Sequence, residues 1–105
     1  QKRPSVPGMP DFAKPRSAEL YTKLCSSNVE EQRAGSRDIA FILGDDQMIL
    51  LQKAVTMGDE SIRINAAKIL SRKKTPDAKA LLEKLTSDPN ETVRSMAEKA
   101  LVMLK

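Results

Sequence analysis

From Ser17 onward the apolar positions of the chain recur at intervals of 30 and then 31 residues. The segments 17–44, 45–74 and 75–105 superimpose so that Leu20, Leu50 and Leu81 share one column. Tyr21, Leu51 and Leu82 form the next column, and Leu24, Ala54 and Leu85 a third. Positions i, i+1 and i+4 lie on one face of an α-helix. In the second half of each unit Arg33, Arg63 and Arg94 align, followed by Ser36, Ala66 and Ala97. Then come Ile39, Ile69 and Ala100, and after them Ala40, Leu70 and Leu101. In the last unit Val93, Met96, Ala97, Ala100, Leu101 and Leu104 draw the stripe of an amphipathic helix. The spacing predicts helices near 17–26, 29–43, 46–57, 60–73, 76–86 and 89–104.

Helix-start signals recur in the same frame. Glu30, Glu60 and Glu91 hold one repeat position, and Ser27 and Asp88 stand three residues before the first and last of them. Ser27 to Glu30 reads as a capping box and Asp88 to Glu91 as its acidic counterpart, with Pro89 at the first helical position. The middle unit has Met57 there, so Gly58-Asp59 is expected to move its cap by two residues. Thr75-Pro76 opens the third unit, and Gly44-Asp45-Asp46 separates the first from the second.

A single hairpin would leave its apolar stripe in water, so the units must stack. The expected fold is all-α, an α-solenoid of three hairpins and six helices. Residues 1–16 are read as a disordered basic arm, because Pro4, Pro7, Gly8, Pro10 and Pro15 interrupt any helix and little apolar surface is present. Met9 and Phe12 are the arm's only groups able to dock, and the arm is expected to add little stability.

The segment from Asp88 to Leu101, DPNETVRSMAEKAL, resembles a HEAT repeat, in particular the short type named after the phycobilisome lyases. Asp59 to Leu70, DESIRINAAKIL, carries the same pattern. The first unit departs from it, with Gln32 before its Arg and Ser36 in place of Ala. The resemblance covers residues 17–105. It implies a non-catalytic scaffold for a protein or peptide, and a structural role for the ladder Arg33, Arg63 and Arg94. These arginines are expected to pair with acids or carbonyls of neighbouring turns, Asp59 and Asp88 above all.

Charge and composition narrow the chemistry. The net charge is +4 and the pI about 9.4, yet residues 1–16 alone carry +3, which leaves the body near neutral. Aromatic residues make up 3% of the chain, so nucleic acid is an unfavoured partner. There is no His and one Cys, which leaves neither a zinc ligand set nor a base to activate Cys25. No cofactor or metal is expected, and Cys25 is read as packing. No apolar run is long enough to cross a membrane. The start at Gln1 rather than Met leans toward an exported mature form, with a cytoplasmic domain boundary as the alternative.

The candidate binding surface is the ridge of the second helices on their concave side, pointing away from the first helices. In the register above it holds Ala34, Ile64 and Ser95, then Asp38, Lys68 and Lys99, then Phe41, Ser71 and Val102. Apolar groups within a charged rim suit a protein partner. Arg72, Lys73 and Lys74 are a possible anion contact at a helix end. A monomer is expected. The alternative function is a nucleic-acid or anionic-surface binder using the arm and Arg72-Lys73-Lys74. A lyase- or glycosylase-type enzyme is a third reading.

Overall fold

The computed structural model describes residues 8–103. Six α-helices follow one another: α1 (Pro15–Leu24), α2 (Val29–Asp38), α3 (Asp45–Ala54), α4 (Glu60–Leu70), α5 (Pro76–Leu85) and α6 (Glu91–Met103), with a 3-10 turn at Ile39–Phe41. No strand occurs among the described residues. Each odd helix packs on the even helix after it. The hairpins stack so that α1, α3 and α5 form one layer and α2, α4 and α6 the other. The stack measures 47 × 26 × 20 Å.

The first-helix columns form the inner seam. Leu20, Leu50, Leu51, Leu82, Leu24 and Ala54 are fully buried, while Tyr21 is half-buried. Ser17, Gln47 and Ala78 add a buried column one turn earlier, polar in two units of three. Between the layers lie Ile62, Ala66, Leu70, Val93 and Ala97 from the second helices.

Two starts differ from the sequence expectation and a third meets it. The cap of α2 is Asn28, not Ser27; its side chain accepts from the N–H groups of Glu30 and Glu31. Before α6, Asn90 accepts from Val93 N–H, so Pro89 lies outside the helix rather than at its first position. The middle unit does shift its cap to Asp59, which accepts from Ile62 N–H. The three cap residues Asn28, Asp59 and Asn90 are therefore spaced by 31 residues throughout, whereas α1 and α3 start 30 apart. The turn joining α1 to α2 is one residue shorter than its two counterparts.

That missing residue shifts α2 by one against the sequence alignment. Ala40, aligned with buried Leu70, is exposed, and Ile39 takes the fully buried place instead. The helix expected through Leu43 ends at Asp38, because Ile42 leaves it in an extended conformation to bury itself. Gly44 follows at φ 81, a left-handed conformation that favours glycine, and turns the chain into α3.

The arm is corrected at its inner end. α1 starts at Pro15, two residues before the expected boundary, with the ring at a first-turn position where no N–H is needed. Ahead of it Phe12 packs on the core, its ring centroid 5.6 Å from that of Tyr21. Lys53 lies over the other partner, its Nζ 5.8 Å from the Tyr21 ring centre. Residues 1–7 of the expected arm, and Leu104 at the end of the sixth helix, lie outside the described residues.

Candidate functional site

Arginine, aspartate and turn carbonyls bind successive hairpins along the second-helix layer. The Arg33 guanidinium donates twice to Asp59, from Nε at 3.1 Å and from Nη2 at 2.8 Å. Arg63 repeats the fork one unit on, reaching Asp88 from Nε at 2.6 Å and from Nη2 at 3.1 Å. Its remaining Nη1 donates to the Met57 and Gly58 carbonyls and so closes its own turn. Unit one divides these tasks: Gln32 donates to the Ser26 carbonyl while Arg33 reaches the next unit. Arg94 closes its own turn on the Asp88 and Pro89 carbonyls and meets no carboxylate among the described residues.

Burial sets these pairs apart. The Arg63 and Asp88 side chains are only 11% and 5% exposed, against 36% and 16% for Arg33 and Asp59. Hydrogen bonds and charge from Arg33 hold the Asp59 carboxyl below its usual range, and the Arg33 guanidinium is raised in turn.

Asp46 makes a second anchor, one the sequence signalled only as a helix-start acid. It is buried, and it accepts from Ala13 N–H at 3.0 Å, Lys14 N–H at 3.1 Å and Ser17 Oγ at 2.7 Å. These bonds hold its carboxyl below the ordinary value despite burial. One carboxylate of the neighbouring hairpin thus ties down the chain at and just before the cap of α1. The only advance sign was the lack of a capping side chain at Lys14.

On the outer side of the second helices the predicted surface is partly rearranged. Asp38 does not stand on the ridge: it faces α1 and accepts from Arg16 Nη2 at 3.1 Å. The one-residue shift puts Arg37 in its place. Arg37, Lys68 and Lys99 each lie nine residues past their helix cap; all three are exposed, and none has an acidic partner among the described residues. Ala34, Ile64 and Ser95 are half-buried, Ile64 against the core. Phe41 is 81% exposed and Val102 65%, both at the C-terminal ends of their helices, with half-buried Ser71 at the corresponding end of α4.

The basic cluster is divided too. Lys73 Nζ donates to Gln47 Oε1 at 2.8 Å, while Arg72 and Lys74 are exposed. Cys25 is a half-buried free thiol. Among the described residues no group of three or more His, Cys, Asp or Glu is placed to hold a metal ion. No described helix is long and apolar enough to cross a membrane. A family model for HEAT repeats matches residues 18–105. No curated protein and no solved structure gives a significant match.

Proposed function

The chain belongs to the HEAT-repeat family, whose helical domains typically serve as protein-binding scaffolds, and on that footing we propose that it is a non-catalytic scaffold taking an acidic protein or peptide segment across the outer side of α2, α4 and α6. The column Arg37, Lys68 and Lys99 carries the reading. Neighbouring helices in a layer lie about 8–10 Å apart, so the three cations make a regular track for carboxylates. Elsewhere in the molecule Arg33 and Arg63 are neutralised by Asp59 and Asp88; these three cations are open to an outside partner. Phe41 and Val102 supply exposed apolar anchors beside the track.

The anionic-surface reading draws on the same column together with Arg72 and Lys74. The apolar anchors favour a protein, because a phosphate backbone has no use for them.

The test is capture of partners from the native source on immobilised chain. Phe41→Glu and Lys68→Glu should each reduce capture at least about tenfold while the far-ultraviolet helical signal is kept. Arg72→Glu should have the smaller effect, as an exposed charge at the rim. Loss of binding with a steep logarithmic dependence on salt, unaffected by Phe41→Glu, would instead indicate a polyanion.

A further inference from the structure

Along the outer side of α4, Glu60, Ile64 and Lys68 stand at i, i+4 and i+8, on one face of the helix. Glu60 and Lys68 are exposed, although α4 has a helix of its own layer on either side, and Ile64 between them is half-buried. The matching row of α6 holds Glu91, Ser95 and Lys99, with both charged residues exposed. On α2 the row is Glu30, Ala34 and Arg37, again with both charges exposed. Each second helix thus carries an acid in its first turn and a cation about 10–12 Å further along its axis. Among the described residues Glu60, Glu91 and the three cations have no ion-pair partner, and Glu30 meets Arg33 at 3.5 Å.

We propose that this face pairs with the same face of a second copy of the chain, the two α4 helices running antiparallel across a twofold axis at Ile64. Such an axis turns the row of acids of each copy onto the row of cations of the other. Glu60 meets the partner's Lys68, and Lys68 meets the partner's Glu60. The axis also lays α2 over the sixth helix of the other copy, which sets Glu30 against the partner's Lys99 and Arg37 against the partner's Glu91. Every carboxylate of the rows then faces a cation, whereas a parallel arrangement would oppose like charges. Ile64 is the large apolar side chain of the three rows, and the axis places it against its own copy, an apolar centre inside a charged rim. Ala34 and Ser95 flank that centre and are small enough to let the two layers close. The face is about 30 Å wide and 15 Å long, or about 450 Å² on each copy, against about 800 Å² in a standard interface. The pair is therefore weak, and the chain is a monomer when dilute. The inference rests on the scaffold reading in that both use Arg37, Lys68 and Lys99, so an acidic partner has to displace the second copy.

The test is sedimentation equilibrium of the full chain up to about 2 mM in about 20 mM salt, where exposed charges are least screened. A dimer with a dissociation constant below about 1 mM is expected, and about 0.5 M salt should abolish it. Glu60→Lys and Lys68→Glu should each weaken the dimer at least about tenfold, because the axis applies every change twice. Mixed in equal amounts, the two variants should regain the wild-type level of dimer, since each supplies the charges that the other lacks. Capture of an acidic partner needs Lys68 but not Glu60, so Glu60→Lys should break the pair and leave capture intact, which separates the two readings. The proposal is overturned if the wild-type chain stays monomeric at about 2 mM, or if mixing the variants, both with the helical signal intact, restores no dimer.

Discussion

Asp46 and Asp88 are the two buried carboxylates among the described residues, and each serves a hairpin other than its own. Removing Arg63 leaves Asp88 desolvated without its fork and frees two turn carbonyls. Arg63→Ala should therefore cost about 3–5 kcal/mol in denaturant unfolding, as a broken buried pair does. Arg94→Ala removes only bonds to turn carbonyls and should cost about 1 kcal/mol. Acid stability follows from Asp46 and Asp59, whose folded values lie below the ordinary aspartate value of 3.8. Above that value both are ionised in either state and their stabilisation is complete. As pH falls through about 3.8 the unfolded chain takes up protons first, and stability drops until the folded values are passed. The unfolding midpoint should fall steeply below about pH 4, and Asp46→Asn should flatten the slope. A slope unchanged by that substitution would mean that Asp46 is not held as described.

At the scale of elements, packing distance decides the sign of one substitution. Gly35 is buried where α2 crosses α1, and a Cβ there would meet the Lys23 Cβ at 3.0 Å and the Leu20 carbonyl oxygen at 3.4 Å. In a free helix Gly→Ala gains about 1 kcal/mol. Here α1 has to move, so Gly35→Ala should lower the thermal midpoint rather than raise it. The first helices were legible in the sequence because their columns Leu20/Leu50/Leu81 and Leu24/Ala54/Leu85 are apolar wherever the helix faces the seam. The second helix of unit one was not. A turn one residue shorter leaves no trace in composition, and Ser36 and Ala40 fit the wrong register as well as Gly35 and Ile39 fit the right one. The same slip hid Arg37 and set Asp38 on the ridge, although its partner Arg16 lies on α1.

For the whole molecule, the arm belongs to the stack from Phe12 onward. Deleting residues 1–14 removes the Phe12 ring and two of the three donors to Asp46. A loss of about 2–3 kcal/mol is expected in denaturant unfolding, against the near-zero effect that its prolines suggested. The prolines were misleading because they exclude a helix without excluding docking, and because the acceptor lies more than 30 residues downstream in α3.

The two junctions between hairpins are fastened unequally. Between units one and two there are attachments in both layers: Asp46 to the start of α1 on one side, Arg33–Asp59 and Asn65–Ser36 on the other. Between units two and three the polar attachment among the described residues is the Arg63–Asp88 fork alone, on one side only. In a quasi-linear stack each unit is retained by its neighbour's interface, so the molecule should open with a direction. The last hairpin should swing about the fork as a hinge while the first two stay closed. Amide protons of α5 and α6 should then exchange through a sub-global opening, faster than those of α1, α3 and the middle of α4. Cutting the fork by Asp88→Asn should widen that gap without touching the slow set.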